Sequence, residues 1–325
     1  MNVVTHRFPL SRLPPKIKIH VVKSMNVAEI FSFSFISKAT KACVLPMNLN
    51  ISSIKIEVDA SIVVTVMFGN HAVDYSFPNI ENRATDSVEV TVRSLTPYII
   101  TGSYQWRNAG FTLRDWIRNL KTVAQLNVVK GIHFYRTGQL HDLASIARIV
   151  NRLNVDKLEI ENQCPAAYFQ SILSAIHTNS IILMRNPFPD HPTLLKFLLR
   201  NIDRLFVYFQ TVFTLDDVLL MNSRCFSGFL TVETLNKFIK LCQSGYKPRL
   251  NRIIARFRAQ PNPDALFEKI EFSTVVERNL RRPAHSDIFW NEPIAYDING
   301  KDGMRGTVYV MNATPARCIE FAIWD

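Results

Sequence analysis

Glycine is scarce in this chain, with 10 residues in 325. Phosphate-cradling loops need several glycines close together, so they are not expected here, and no P-loop is present. The one glycine-dense stretch, GKDGMRGT (300–307), lies between strand-like segments and not ahead of a helix, and it reads as a hairpin turn. The five cysteines, Cys43, Cys164, Cys225, Cys242 and Cys318, are odd in number, far apart and without a Cys-x-x-Cys pair. That spacing fits buried thiols in a reducing compartment better than a disulfide or zinc framework. Long apolar runs are missing too: Ile62 to Phe68 is far too short to span a bilayer. Arg12, Lys16, Lys18 and His20 fall where a secretory signal needs an unbroken apolar core. The expectation is a cytoplasmic or nuclear protein, in which the Asn-x-Ser/Thr triplets at Asn50 and Asn312 carry no meaning.

Catalytic signatures are equally lacking. There is no His-Glu-x-x-His and no Gly-x-Ser-x-Gly. His285, Ser286 and Asp287 are neighbours in sequence, and neighbouring side chains point apart, whereas a working triad converges in space. The eight histidines show no metal-ligand spacing. Cys164 and Cys242 read as buried thiols at helix ends. No catalytic residue, metal or cofactor is expected.

What is present is apolar and basic. Hydrophobic residues make up 47%, enough for a sizeable core, and the net charge of +11 permits a nucleic acid or an acidic protein as partner. Most of the basic residues are dispersed. The exception is KPRLNRIIARFR (247–258), where Arg252, Arg256 and Arg258 share parity, so a strand would put them on one face. That face reads either as a solvated edge or as a binding surface for nucleic acid or acidic protein.

The first 46 residues predict three short helices. Pro14 and Pro15 suit a first turn. Asn26 with Glu29 has capping-box spacing, and Ser37 can cap a third helix that Pro46 ends. Ile17, Val21 and Met25 fall on one side of the first helix, Ile19 and Val22 on another, and Ile30, Phe31, Phe33 and Phe35 cover several faces of the second. So small a unit cannot bury that many apolar faces in itself. They meet either the rest of this chain or another protein.

After Pro46 the period changes. Ile54, Ile56 and Val58, then Ile62, Val64, Val66 and Phe68, then Val73, Tyr75 and Phe77, then Val88, Val90 and Val92 alternate, which predicts an antiparallel meander with one buried face. From Phe111 helix and strand patterns follow in turn. Thr112 and Asp115 start one helix. Short apolar strands recur around Ile132, Leu158, Ile181, Leu205, Phe229 and Ile253, at spacings of 26, 23, 24, 24 and 24. A period in the low twenties with one strand and one helix fits leucine-rich-repeat-like stacking, and Ile181, Leu183 and Asn186 fit its Leu-x-Leu-x-x-Asn kernel. A non-solenoid α/β domain with a parallel sheet fits the same alternation. Strands close the chain, with Asn299-Gly300 as a hairpin signal.

Two stretches resemble known families. FPLSRLPPKIKIHVVKSM (8–25), with Val21-Val22 and Met25, and AEIFSFSFISKATK (28–41) resemble an F-box, in particular the large nematode group. Ile30 stands for the usual Leu, Phe33 and Phe35 are bulkier than usual, and Pro15 and Lys16-Ile17-Lys18 depart from the pattern. Further on, Leu215-Asp216-Asp217, Leu219-Leu220, Met221-Asn222, Leu235-Asn236, Phe238-Ile239-Lys240, Gly245 and Pro248-x-Leu250 resemble the core of the nematode F-box associated domain of type 2. The tail from Tyr296-Asp297-Ile298 to Trp324 is similar to that family's end.

The resemblance implies a non-catalytic substrate receptor of an SCF-type cullin-RING ubiquitin ligase. It would consist of an F-box at 1–46 and an associated domain at 47–325, with a meander at 47–104, strand-helix repeats at 111–260 and terminal strands at 265–325. It implies adaptor contacts at Pro9, Leu10, Leu13, Pro14, Ile17, Val21, Met25 and Ile36. In a solenoid the target would meet the outward strand face. If Leu158 and Ile160 point inward, then Lys157, Glu159, Glu161, Ile182, Met184, Phe206 and Tyr208 point outward; the opposite parity would place them in the core. The fold expectation is therefore mixed α and β: three N-terminal helices, a meander, and a strand-helix solenoid closed by a C-terminal hairpin.

Overall fold

The computed structural model describes residues 13–78, 87–96, 98–106, 110–274, 294–310 and 318–324. His285, Ser286 and Asp287, like Pro9 and Leu10, lie outside the described residues. The fold is a mixed α/β arrangement in two compact units, residues 1–156 and 157–325.

In the first unit, helices α1 (Pro15–Lys23), α2 (Val27–Ser34) and α3 (Lys38–Val44) precede five strands: β1 (Ile51–Val58), β2 (Ile62–Phe68), β3 (His71–Phe77), β4 (Val88–Leu95) and β5 (Tyr98–Trp106). Helix α4 (Leu113–Val123), strand β6 (Gly131–Phe134) and helix α5 (Leu143–Val150) follow. The capping pairs work as their spacing predicts: Asn26 and Glu29 exchange bonds of 2.8 and 2.9 Å, and Thr112 pairs with Asp115. Strands β1 to β5 pair antiparallel in order, and β6 joins β1 in parallel. One rung runs Ile132, Ile56, Val64, Tyr75, Val90, Tyr104. All of these but Tyr104 are buried, which is the alternation made physical.

Strand β5 was not legible as a strand. It is an edge, exposed along most of its length, so no buried face imposes alternation on its residues. The change of period at Pro46 is also not where packing divides the chain. The buried face of α2 is part of the first unit's core: Phe31 lies edge-on to Tyr75, and Phe35 contacts Trp106, Phe111 and Trp116. Trp116 is fully buried among these rings and Phe77. Asn119 donates to Ser34 Oγ at 3.1 Å, and Gln125 to the Leu45 carbonyl at 2.7 Å. The inward apolar faces of the helices thus meet their own chain.

The second unit alternates strand and helix: β7 (Lys157–Ile160), α6 (Ala166–Ala175), β8 (Ser180–Leu183), α7 (His191–Leu198), β9 (Arg204–Val207), α8 (Leu215–Leu220), β10 (Cys225–Phe229), α9 (Val232–Gln243), β11 (Arg252–Arg256) and α10 (Pro263–Phe267). Then come β12 (Phe272–Thr274), β13 (Ile294–Asn299), β14 (Arg305–Val310) and β15 (Cys318–Trp324). Strands β7 to β11 are parallel and lie side by side in chain order. Antiparallel β15, β14, β13 and β12 continue the sheet from β11.

Three sequence expectations are corrected here. The residue equivalent to Leu205 and Ile253 is Phe226, not Phe229, so the spacings at this point are 21 and 27. The unevenness follows from the helices, since α8 spans 6 residues and α9 spans 12. Asn186 of the Leu-x-Leu-x-x-Asn kernel is exposed, its Oδ1 accepting from the Phe188 amide at 3.0 Å, so it does not enter the interior as the kernel's asparagine would. And Asn299-Gly300 is not a two-residue hairpin. Residues 300–304 connect β13 to β14, with Asp302 (φ 57°) and Gly303 (φ 76°) in the left-handed region.

Gly300 has a different role. A Cβ there would sit 2.8 Å from Cα of Gln243, the last residue of α9. Gly300→Ala is expected to cost about 1–3 kcal/mol through overpacking against backbone. Gly303→Ala, with open space around it, should cost only about 1 kcal/mol of backbone strain. Urea midpoints of the two variants side by side check the ordering.

Candidate functional site

Two surfaces collect the residues singled out by sequence. The first is the outer side of the N-terminal helices. Val22, Ala28, Ile30, Phe31, Phe33, Phe35 and Val44 are buried. Against that packed background Ile17 is 46% exposed and Ile36 69% exposed. Pro14 is exposed, and Leu13, Val21 and Met25 are half-buried. The first helix therefore has an inward side around Val22 and an outer side with Ile17 and Val21, whereas Met25, expected on the same helix, lies past its end at Lys23 in the turn before α2. Met25 and Ile36 come together as walls of a groove of about 660 Å³, completed by Phe33, Tyr104 and Trp106. The share of β5 in that groove had no signal in the sequence.

The second surface is the outward face of β7 to β11. Leu158, Ile160, Ile181, Leu183, Leu205 and Val207 are buried. Lys157, Glu159, Glu161, Ile182 and Phe206 are half-buried, and Met184 and Tyr208 are exposed. Lys157 and Glu159 neutralise each other at 3.1 Å. Register places Glu159, Ile182, Phe206, Ser227, Ile254 and Glu320 on one rung. Moving toward β15 this rung closes over: Ser227, Ile254 and Glu320 are buried, while the β7 to β9 end stays open.

The three arginines have separate fates. Arg252 Nε donates to Glu320 Oε1 at 2.7 Å, with side-chain exposures of 13% and 1%. Burial raises the Glu320 carboxyl above the usual range, and Arg252 draws it back down. Arg256 lies over the Tyr208 ring, 3.8 Å from its centre, and makes no ion pair among the described residues. A guanidinium held against an aromatic face presents its remaining donors to one side. Arg258 lies past the end of β11 and donates to the Gln210 carbonyl at 2.6 Å. Shared parity foresaw none of these pairings, because each joins segments at least 48 residues apart.

The residues that carry the type 2 resemblance hold the fold. Asp217 closes the capping box of α8 with Thr214 and accepts from His191 Nε2 at 2.9 Å. Asn222 accepts from Arg249 at 2.7 Å, and Asn236 donates to the Leu266 and Glu268 carbonyls. Gly245 takes φ 105° just past α9, the left-handed conformation that favours glycine at a helix end. Leu250 is buried. Burial pushes the Cys164 thiol up to about 11 and Cys242 up to about 12, so both are protonated and unreactive at neutral pH. Among the described residues no group of three or more His, Cys, Asp or Glu is placed to hold a metal. None of the described helices is long and apolar enough to cross a membrane.

Comparison with known families assigns both ends of this description. Residues 10–52 match the F-box domain, covering all three N-terminal helices and the start of β1. Residues 193–254 match the family described as F-box associated, from within α7 to within β11. No curated protein and no solved structure matches the chain. An F-box domain followed by an F-box associated domain fits, in general terms, a substrate-recognition subunit of an SCF-type ubiquitin ligase.

Proposed function

We propose that this chain is a non-catalytic substrate receptor of the nematode type 2 kind. It docks on the ligase adaptor through the outer stripe of α1 and the end of α2, and it presents its target with the outward face of β7 to β11. The observation that carries the reading is the groove walled by Met25, Phe33, Ile36, Tyr104 and Trp106, with Ile36 exposed in the turn after α2 and Ile17 exposed on α1. A contiguous apolar groove left open on the surface marks an interaction site. Pro9, Leu10, Leu13, Pro14, Val21 and Met25 complete the proposed adaptor contact. For the target, exposed Met184 and Tyr208 follow the rung that pairs Ile182 with half-buried Phe206, and apolar and aromatic residues are the types enriched at interface centres. A leucine-rich-repeat-like stack is the architecture proposed for this half, supported by parallel strands lying side by side in chain order.

Co-expression with the adaptor and purification through it at high salt tests the docking. Ile17→Asp with Ile36→Asp should reduce co-purification at least about tenfold, by the usual cost of truncating a central contact. Because both side chains are exposed, the melting temperature of the chain should be unchanged. Undiminished co-purification of that double variant would place the adaptor contact elsewhere. The second reading, nucleic acid or acidic protein at Arg252, Arg256 and Arg258, draws its support from Arg256, the one of the three that neither ion-pairs nor donates to a backbone carbonyl among the described residues. It demands binding that falls steeply with salt.

A further inference from the structure

A basic cleft in the first unit plays no part in adaptor or target binding as proposed above. Helix α4 buries Leu113, Trp116, Ile117, Leu120 and Val123 on one side. Its other side carries Arg114, Arg118 and Lys121, at the i, i+4, i+7 spacing that forms one stripe. A lone basic stripe would be an ordinary solvated face. This one is a wall. With Arg152 and Leu153, from the turn after α5, it encloses a cleft of about 550 Å³ lined also by Gln125 and Asn127. Arg152 comes from a segment 31 residues beyond Lys121, so the fold, not the helix period, gathers the fourth cation.

No carboxylate lines this cleft. The acid nearest in sequence, Asp115, is turned to the helix start, where it accepts from the Thr112 amide at 3.1 Å and hydroxyl at 2.6 Å. None of the three arginines makes an ion pair among the described residues. Lys121 Nζ is fixed at the rim by the Asn127 carbonyl at 2.9 Å, and partial burial lowers its pKa. Like charges at i, i+4 repel along a helix, and a fourth cation opposite adds to that. Such repulsion is relieved by an anion, and most by one of several charges.

We infer that the cleft binds a small, multiply phosphorylated anion. Guanidinium forks match phosphate oxygens in pairs, and here they come from two walls. The volume falls in the range of small-molecule sites, roughly 300–1,000 Å³. A nucleic acid would call for a basic track along a groove, whereas these four cations converge on one half-open cleft.

The test uses the full chain and sodium tripolyphosphate as probe, followed by calorimetry and by the shift in melting temperature. The expected result is saturable binding at physiological salt, weakened at least tenfold in Arg118→Gln and in Arg152→Gln and lost in the double variant. Arg185→Gln, a surface change in the other unit, should bind like the parent. The unliganded melting temperatures of the glutamine variants should match the parent. If they do not, Arg118→Lys and Arg152→Lys keep the charge and should still show the loss of the fork as an intermediate affinity. Three outcomes would overturn the inference: no saturable tripolyphosphate binding, equal binding by the double variant, or a 20-base-pair duplex or phosphoinositide-containing vesicles binding through these arginines while tripolyphosphate fails to compete.

Discussion

A fragment beginning at Met47 is expected to lose the fold of the first unit, not merely its partner. An F-box is commonly thought of as a detachable module, and the change of period at Pro46 invites that cut. Yet Phe31 and Phe35 are core residues of the meander, touching Tyr75, Trp106 and Trp116. Six large apolar residues between 22 and 44 are buried, namely Val22, Ile30, Phe31, Phe33, Phe35 and Val44. Each fully buried side chain of this kind contributes about 1.5–3 kcal/mol. Even if half of that burial is among the three helices themselves, the loss is on the order of 5–10 kcal/mol, as large as the whole stability of many domains. The fragment should therefore express insolubly, or show collapsed near-ultraviolet circular dichroism from Trp106 and Trp116. A soluble fragment melting within a few degrees of the full chain would show that the helices are dispensable to the meander. The practical consequence is that adaptor docking must be probed by surface changes such as Ile17→Asp, because truncation confounds docking with folding.

Arg252→Ala should be the most damaging single change in the second unit. It leaves the Glu320 carboxylate, 1% exposed, without its guanidinium. Breaking a buried pair by removing one partner costs about 3–5 kcal/mol. The cost should also depend on pH in a defined direction. Burial already raises the Glu320 carboxyl above the usual glutamate value, and Arg252 opposes that rise. A carboxyl whose pKa is raised on folding binds its proton more tightly in the folded state. Its stabilising contribution is therefore present below the unfolded value and is lost as pH rises through the folded one. Without Arg252 the folded value climbs further, so the deficit of the variant should be small at about pH 4 and grow toward about pH 8. Adding Glu320→Gln should recover much of the loss at neutral pH, since a neutral amide costs far less to bury than a charge. Denaturant unfolding at both pH values reads all three results. A deficit independent of pH, or no rescue by Glu320→Gln, would mean that Arg252 acts by packing and not by charge.

The candidate site divides in the same way as the fold. The shared side of Ile17 and Val21 was readable because helical spacing fixes which side chains share a side, while the end of α1 at Lys23, which takes Met25 off that helix, was not. The parity of Lys157, Glu159, Ile182, Phe206 and Tyr208 followed from strand period once one inward residue was assumed. What those residues touch was not readable. The stacking of Arg256 on Tyr208 needs two strands of the sheet to be brought into register, and the groove at Met25 and Ile36 needs β5, a strand with no pattern of its own.

The sequence by itself determined what depends on neighbours along the chain. It set the capped helix starts at Asn26 and Thr112, the alternation of β1 to β4, the order of strand and helix after Phe111, and the absence of catalytic or metal-binding spacing. Tertiary structure alone decided what depends on contacts between distant segments. Packing made α2 part of the meander core, moved the repeat anchor from Phe229 to Phe226, committed Arg252 to Glu320, and set Arg152 opposite the basic stripe of α4. The reason is physical: capping and periodicity are local properties of a few bonded residues, whereas register, burial of charge and the shape of a cleft exist only once remote surfaces have excluded water between them.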